Sequence, residues 1–455
     1  MDGSEIMLSS IIQFLKNTDE LTTGKMLVDT FAKYASNATE YDNIAKWYMD
    51  MKDYPMAIKY AEKTLVNVSS NEAMQACRAN LSKLYNHIND PVSSLRYSSI
   101  NLKLNPDNHD ALMEQVFSYF LLNQKDKSEA ILRELIQLPN LPDELIHRIK
   151  FNLGTYDLYK GRFQEGLRGF LLDGKKLGLW KNLTLPFKFW EGGIQPGKTI
   201  LIVAEGGIGD EIINVRFTKH LEELGMIPIW YTTRRELVPI FTRQGVNVVT
   251  TLDKCPTDAL WTYAMSLPIY LDLQPKDLWH GSYITPSAEY VNKWKQLLHT
   301  DSKKLKVGIR WTGNPLYEHD LHRSVPLDAI YDVVIDRDFE LYSLQRDTGA
   351  DDVKLYPDII DLQDKLETFE DALGALSQMD IVITSCTSIA HASAALDIGK
   401  TIILAPISAY YTWASTTDTS TIWYSNNTKI VRQTKHACWN EPMNQLAEIL
   451  DNLTK

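Results

Sequence analysis

A glycine-rich turn that carries two acidic residues follows the apolar run 199–203. The turn reads Ala-Glu-Gly-Gly-Ile-Gly-Asp-Glu, and its glycines are Gly206, Gly207 and Gly209. Apolar residues at helical spacing come next, so the pattern predicts a strand, a tight turn and a helix. Glycines let a ligand approach the backbone, and the N–H groups of a helix start attract anions. With Asp210 and Glu211 present, the turn is predicted to bind a ligand and to move protons; a plain packing turn is the alternative.

A second strand, turn and helix of the same kind begins with the apolar run 381–384. The run ends in Ser-Cys-Thr-Ser-Ile-Ala-His. Hydroxyls at a helix start can cap the helix and can donate to a phosphate, which makes Thr387 and Ser388 candidate anion ligands. His391 stands near the first turn of this helix. It is interpreted either as a packed or capping residue or as a catalytic one.

A third polar segment follows the predicted strand 306–311. It contains Arg310 and Asn314, and Arg323 comes soon after. An arginine binds a diphosphate through two parallel hydrogen bonds, and Arg323 is the first candidate because the strand around Arg310 is apolar. His319 and His322 are interpreted as part of an exposed loop. They form no H-x-x-x-H motif on a helix with a nearby carboxylate, so we predict no metal site.

Composition bounds the class of protein. A chain of 455 residues predicts two or three domains, and the net charge of −11 argues against a nucleic-acid-binding field over the whole surface. Lysines between 175 and 188 form either a solvated surface or a local basic face. The 4 cysteines have no C-x-x-C spacing, which predicts neither a zinc ribbon nor a disulfide framework and fits a cytoplasmic setting, in a host cell if the protein is viral. No signal-peptide pattern or membrane-length apolar run occurs.

Residues 1–180 are predicted to form a helical, tetratricopeptide-like repeat domain. Similar motifs begin at Asp53, Asp90, Asp126 and Arg162. Their spacing is close to the helix–turn–helix period of about 34 residues in tetratricopeptide arrays. An irregular helical bundle is the alternative. Stacked repeats present a concave surface that binds a peptide or protein partner, unless the array only extends the next domain.

From about residue 185 onward, strand-like runs alternate with helical ones. This alternation predicts parallel sheets with ligands at the carboxyl ends of the strands. We expect an N-terminal Rossmann-like half over 185–300 and a C-terminal Rossmann-like half over 301–455. The predicted strands are 199–204, 227–231, 306–311, 339–344, 381–384 and 401–405, and helices are predicted at 287–298, 371–379 and 390–396.

The order of motifs over 185–455 resembles that of tetratricopeptide-repeat glycosyltransferase-like proteins, which are similar to ADP-heptose:lipopolysaccharide heptosyltransferases. The segments that carry this resemblance are 185–190, 197–201, 206–212, 308–314, 323–327, 343–345, 379–384, 387–391 and the tail 423–439. The resemblance implies a GT-B fold, in which two Rossmann-like halves face a cleft. It also implies an enzyme, a glycosyltransferase that moves a sugar from a nucleotide-diphosphate donor to an acceptor hydroxyl, with inversion and without a catalytic metal.

The resemblance also implies roles for individual residues. Asp210 becomes the general base on an acceptor-side loop formed by Gly206, Gly207 and Gly209, with Glu211 as an alternative base and His391 as a further catalytic residue. The implied donor-binding residues are Arg310, Asn314, Arg323, Gln345, Thr387, Ser388 and His391. The nucleotide sugar is a co-substrate, and no cofactor is expected. Two features depart from the family: Cys386 stands where an aspartate is frequent, and the N-terminal half is short, so that the helical array is expected to supply part of the acceptor site.

The acceptor stays open among a glycan, a protein and a modified DNA base. The style of the sequence resembles that of proteins from large tailed phages, some of which glycosylate hydroxymethylated cytosine in their own DNA. A DNA acceptor would require a flipped or single-stranded base. A different alternative is a non-catalytic repeat scaffold whose transferase domain has degenerated.

Overall fold

The fold was analysed in a computed structural model that describes residues 21–180, 183–315, 323–414 and 419–453. The chain divides into two compact units, Met1–Leu138 and Pro139–Lys455. An N-terminal helical array is followed by two parallel sheets flanked by helices, which confirms the predicted α plus α/β class. Within these described ranges, no helix is both long enough and apolar enough to cross a bilayer.

Consecutive helices make up the described part of the first unit, and from the second helix onward each packs on the next. Their bounds are α1 Leu21–Phe31, α2 Ala38–Asp50, α3 Tyr54–Asn67, α4 Asn71–His87, α5 Pro91–Leu104, α6 His109–Leu121 and α7 Lys125–Leu135. The side chains of Asp53 and Asp90 accept hydrogen bonds from backbone N–H groups at the starts of α3 and α5. The first two repeat motifs are therefore helix starts, because an aspartate satisfies N–H groups that a helix leaves unpaired.

Short helices open the second unit before its first strand. They are α8 Asp143–Tyr159, α9 Phe163–Leu167, a π-helical turn Arg168–Asp173 and α10 Gly174–Lys176. The Tyr159 hydroxyl donates to the Ile407 carbonyl at 2.9 Å, and the Gln164 amide donates to the Pro268 carbonyl at 3.0 Å. These helices therefore pack on both sheet-containing halves. The domain bounds 1–180, 185–300 and 301–455 remain predictions.

The first sheet is parallel throughout and has the order β1-β5-β2-β3-β4. Its strands are β1 Lys188–Phe189, β2 Thr199–Val203, β3 Ile227–Tyr231, β4 Val248–Val249 and β5 Leu260–Tyr263. The helices that follow its strands are α11 Ile208–Val215, α12 Thr218–Glu223, α13 Val238–Arg243 and α14 Leu267–Tyr270. The next helix, α15 Ala288–Leu297, packs on the later helix Phe369–Leu376. The strand order reverses between β2 and β5, which is where parallel sheets bind ligands.

The second sheet is also parallel and has the order β11-β10-β9-β6-β7-β8. Its strands are β6 Leu305–Arg310, β7 Phe339–Ser343, β8 Ile359–Asp361, β9 Ile381–Ser385, β10 Lys400–Ala405 and β11 Thr428–Arg432. Its helices are α16 Leu327–Val334, α17 Phe369–Leu376, α18 Ser388–Leu396 and α19 Asn440–Leu453. The switch point lies between β6 and β9, so Arg310 and the turn before α18 stand at its carboxyl edge.

Candidate active site

The turn after β2 is folded around the carboxylate of Asp210. Gly206 has a φ of +75°, which a glycine adopts without strain. The backbone N–H of Gly207 donates to Asp210 Oδ2 at 2.7 Å. A Cβ at Gly206 would collide with the same carboxylate. The glycines therefore let the chain close on Asp210, which stands in the first turn of α11 and is partly exposed.

Asp210 has an acidity suited to accepting a proton near neutral pH. Burial raises its pKa from 3.8 to about 6. The Gly207 N–H, the Tyr410 hydroxyl and the Arg234 guanidinium oppose this rise. Loss of hydration disfavours the charged form of an acid, whereas donors and cations favour it. Burial is the larger effect here, so the Asp210 carboxylate is more basic than that of an ordinary aspartate.

Glu211 lies in a different environment, although it is the next residue. Its side chain is fully buried and accepts hydrogen bonds from Trp230 Nε1 at 3.2 Å and from Thr232 Oγ1 at 3.0 Å. It also pairs with Arg234, whose Nη2 donates to the Gly206 carbonyl at 2.7 Å. Glu211 thus anchors the turn to β3 through bound donors. Its expected role as an alternative base stays a prediction.

A buried ion pair holds the start of the same turn. Lys175 Nζ lies 3.1 Å from Glu205 Oε2, and it lies 3.0 Å from the centroid of the Tyr263 ring. Burial lowers the pKa of Lys175 to about 8 and raises that of Glu205 to about 7. The helical segment before the first sheet therefore supplies a side chain to this site. Lys175 is consequently not part of an exposed basic face, which corrects one reading of the lysines at 175–188; Lys181 lies outside the described residues.

The turn after β2 meets the turn after β9. Helix α11 packs on α18, and a Cβ at Gly209 would lie only 2.5 Å from His391 Cδ2. Farther along, Arg216 reaches across and donates from Nη1 to the Trp423 carbonyl at 2.6 Å. The two carboxyl edges therefore face each other at these turns, and Gly209 is required for the close approach.

His391 is enclosed at this meeting point. Its Nδ1 lies 2.8 Å from the Tyr424 hydroxyl, and its ring centroid lies 4.6 Å from that of Trp413. Burial lowers its pKa to about 3, with a smaller contribution from the Arg216 charge. The ring is therefore neutral at working pH. The structure places it as a packed residue between the two turns. Its catalytic and donor-contact roles stay predictions.

Arginines gather at the carboxyl edge of the second sheet. Arg323 Nη1 donates to the Cys386 carbonyl at 3.1 Å, and its Nη2 donates to the Asn314 carbonyl at 3.3 Å. Arg310 donates from Nη1 to the Leu344 carbonyl at 3.0 Å. Burial lowers the pKa of Arg310 to about 10; the charge of Asp347 opposes this, and the charges of Arg323 and Arg346 lower the pKa further. Arg323 and Arg346 thus lie close enough to affect the charge of Arg310, and these guanidinium groups form a cluster suited to binding an anion, with the Asp347 carboxylate beside it.

The start of α18 lies beside this cluster. Thr387 is its N-cap residue and is buried, and Ser388 is partly exposed in the first turn. Within the described part of the chain, the Thr387 side chain makes no capping hydrogen bond to the helix. The Ala390 N–H donates to the Thr387 carbonyl at 3.1 Å, so a ligand would be bound by the N–H groups that precede it, as in helix-based phosphate sites.

Gln345, an expected donor contact, is bound to the loop after β6. Its side chain is fully buried, and Oε1 accepts from the N–H groups of Trp311 at 3.2 Å and Thr312 at 3.1 Å. Its Nε2 donates to Thr312 Oγ1 at 2.8 Å and to the Thr348 carbonyl at 2.7 Å. Gln345 therefore positions the loop after β6. Its direct contact with a donor stays a prediction.

Several residues of the site had no role in the sequence-based prediction. Glu205 and Lys175 form the ion pair, Arg346 joins the arginine cluster, and Tyr410 donates to Asp210. Arg346 could have been found, because it comes three residues after the end of β7 at the same sheet edge. His319 and His322 lie outside the described residues. Among the residues that the structure does describe, no three His, Cys, Asp or Glu side chains converge on one point.

The comparisons with known proteins show which proteins the chain is similar to and assign no family. No family model matches the chain. Protein FlbA of Caulobacter vibrioides is 23% identical over 251 residues, which is 50% of this chain and 41% of FlbA, so the chain spans about two fifths of that curated relative. The chain is also similar to the solved structure of E. coli ADP-heptose lipopolysaccharide heptosyltransferase II, with 11% identity, a TM-score of 0.36 and coverage of 56% of this chain and 98% of that one.

A second solved structure covers nearly the whole chain. It is that of an O-GlcNAc transferase mutant from Thermobaculum terrenum, with 11% identity, a TM-score of 0.35 and coverage of 92% of both chains. A heptosyltransferase and an O-GlcNAc transferase are among the solved structures that this chain is similar to. The fold itself is defined by the strand order of the two sheets.

Proposed function

We propose that this chain is a glycosyltransferase that moves a sugar from a nucleotide-diphosphate donor to an acceptor hydroxyl with inversion, using Asp210 as the general base. The observation that carries the proposal is the contact between two turns whose side chains have opposite charge. The turn after β2 presents a carboxylate, and the turn after β9 presents a helix start beside an arginine cluster. The contact between Gly209 and His391 brings the two together.

Asp210 is favoured as the base because of how the acids of its turn are paired. Glu205 is bound to Lys175 and Glu211 to Arg234. Among the described residues, Asp210 is the acid of this turn for which no ion pair is found. A general base works best when its pKa lies near the working pH, and a pKa of about 6 meets that condition. We expect the acid limb of the rate profile near pH 6, because below that value Asp210 is protonated and unable to accept the hydroxyl proton.

The donor diphosphate is assigned to the second turn. Its negative charge would be matched by Arg310 and Arg323 and by the N–H groups at the start of α18. The same groups would stabilise the leaving diphosphate as the bond to the sugar breaks. Fixed donors act strongly here because they need no rearrangement when the charge develops. The nucleotide sugar is a co-substrate, and the proposal includes no further cofactor.

The acceptor class is tested by experiment rather than by the fold. The lysine segment gives less support to a DNA acceptor, because Lys175 is bound to Glu205. We therefore favour a glycan or protein hydroxyl. Proteins and glycans, and DNA containing hydroxymethylated cytosine, are to be incubated with a panel of nucleotide sugars and analysed by mass spectrometry.

The expected result is the mass of one sugar added to one acceptor class by the wild-type chain and not by Asp210→Asn. Asp253→Asn serves as the control, because Asp253 is an exposed aspartate in the same half. If the folded wild-type chain neither binds nor hydrolyses any nucleotide sugar of the panel, the proposal fails and the binding-scaffold alternative replaces it.

A further inference from the structure

Two histidines outside the proposed active site point their Nε2 atoms at each other. His220 belongs to α12, and His280 lies in the segment that leads from the first sheet to α15. Their Nε2 atoms are 3.3 Å apart. The carbonyl oxygen of Asp277 lies 3.2 Å from His220 Nε2 and 2.9 Å from His280 Nε2. The three atoms form a nearly equilateral triangle.

This triangle has the dimensions of one face of a metal coordination tetrahedron. Zinc binds histidine nitrogen at about 2.0–2.1 Å and oxygen at about 2.0–2.2 Å, so two tetrahedral ligand atoms stand roughly 3.3–3.4 Å apart. The observed separations are 2.9–3.3 Å. An ion placed over the triangle would have a fourth position open to water, because His280 is exposed.

We propose that His220, His280 and the Asp277 carbonyl bind one divalent transition-metal ion of the zinc, copper or nickel class. Imidazole nitrogen suits these ions and does not suit magnesium or calcium. The nearby acids Glu223 and Asp277 add negative charge that favours a cation.

The position of the site gives the ion a structural consequence. Trp279, beside His280, packs on Tyr424 with ring centroids 6.0 Å apart. Slightly farther along, the Tyr283 N–H donates to the Ala395 carbonyl of α18 at 3.4 Å. The segment 279–283 therefore contacts the C-terminal half, and an ion at His220 and His280 would fix that segment to α12. We expect the ion to raise the unfolding temperature of the protein.

The arrangement has one metal-free explanation, and the test must separate it from the proposal. Both rings could carry their proton on Nε2 and donate to the same Asp277 carbonyl, which has two lone pairs. In that case the histidines hold a loop and have no particular affinity for metals. Metal binding by the full chain distinguishes the two explanations and does not depend on glycosyl transfer.

The experiment is a calorimetric titration of the full chain, without a histidine tag, with Zn²⁺, and with Mg²⁺ in parallel. We expect saturable binding of one Zn²⁺, absence of Mg²⁺ binding, and loss of Zn²⁺ binding in both His220→Gln and His280→Gln. His299→Gln is the matched control, because His299 is an exposed histidine elsewhere in the same unit, and it should retain binding. With Cu²⁺, electron paramagnetic resonance should show two coordinated imidazole nitrogens.

Failure of the folded wild-type chain to bind Zn²⁺ saturably would overturn the proposal, as would retention of binding in either variant. The unfolding temperatures of the metal-free variants provide the folding control. If the variants unfold at the wild-type temperature without metal but no longer gain stability when Zn²⁺ is added, the loss of binding is a loss of ligands rather than a loss of fold.

Discussion

The turns after β2 and β9 share one backbone plan and differ in their side chains. Each follows a buried central strand, and each opens a helix at the carboxyl edge of a parallel sheet. In the first turn the helix start is occupied by the Asp210 carboxylate, which accepts from Gly207. In the second turn, Thr387 leaves the helix start to a ligand, and Arg323 binds the adjacent Cys386 carbonyl.

The difference shows how one backbone plan can serve two kinds of chemistry. A helix start that already holds its own carboxylate has no room for a phosphate, so the first turn offers a base. A helix start flanked by guanidinium groups repels cations and attracts a diphosphate. The predictions that follow are changes that affect one turn and leave the other intact.

Removal of the base is expected to have the largest effect. Asp210→Asn should lower the rate of sugar transfer by about 10²–10⁴-fold, the usual contribution of a positioned general base. The loss should appear in kcat, because the donor site on the other turn is unchanged. Steady-state kinetics with the acceptor identified by mass spectrometry provide the measurement, and Asp253→Asn should behave as wild type. Equal rates for Asp210→Asn and wild type would remove Asp210 from the mechanism.

Removal of the cation that pairs with Glu205 is expected to be the next largest effect. Lys175→Met leaves a buried carboxylate unpaired, which costs about 3–5 kcal/mol in comparable ion pairs. Burial raises the folded-state pKa of Glu205 above its unfolded value, so the charged form destabilises the protein and the cost grows as pH rises through about 7. Thermal unfolding at pH 5.5 and pH 8 measures this effect.

A second substitution provides the control for that prediction. Glu205→Gln in the Lys175→Met background removes the unpaired charge and should restore most of the stability at pH 8. If the double variant is as unstable at pH 8 as Lys175→Met, the loss comes from packing of the lysine against Tyr263 rather than from the unpaired charge.

Removal of an arginine from the second turn should weaken donor binding. Hydrogen bonds to charged groups contribute about 1.5–3 kcal/mol each, so Arg323→Met should weaken nucleoside diphosphate binding by roughly 10-fold or more. Calorimetry with a panel of nucleoside diphosphates tests this, and Arg96→Met in α5 controls for the change in net charge. An unchanged affinity would place the donor away from the second turn.

The smallest expected effect is a gain in stability from loss of the base. Because the folded-state pKa of Asp210 is raised, the ionised form of this side chain lowers the free energy of unfolding. This cost is fully present above about pH 6 and absent below pH 3.8, the pKa of the unfolded state. Asp210→Asn should therefore stabilise the protein at pH 8, by on the order of 1 kcal/mol because the side chain is partly exposed. The gain should vanish at pH 4. Denaturant unfolding at the two pH values measures it, and an equal gain at both would refute the electrostatic explanation.

Much of the fold could be predicted, because local sequence determines it. The expected strands 199–204 and 306–311 occur as Thr199–Val203 and Leu305–Arg310, since buried parallel strands are short apolar runs bounded by turns. Strand Val248–Val249 was not predicted, because its two residues are too few to form such an apolar run. The repeat motif at Asp126 does not mark a helix start as those at Asp53 and Asp90 do. Helix α7 begins at Lys125, so the aspartate lies inside the helix.

The candidate site was only partly predictable, for a different physical reason. The Asp210 and Thr387 turns carry local signals in their glycines and hydroxyls. Whether an acid is free or paired depends on side chains that the fold brings from elsewhere, as Arg234 is brought to Glu211 and Lys175 to Glu205. No spacing rule connects such residues, so the sequence alone left Glu211 open as an alternative to Asp210.

The most direct test of this division of roles is the affinity of Asp210→Asn for nucleoside diphosphates, compared with that of Arg323→Met on the same panel. If the base and the donor site are on separate turns, Asp210→Asn binds as tightly as wild type or more tightly, since a negative charge facing the anion has been removed, while Arg323→Met binds more weakly. A loss of affinity in Asp210→Asn equal to or greater than that in Arg323→Met, with both proteins folded, would contradict the account.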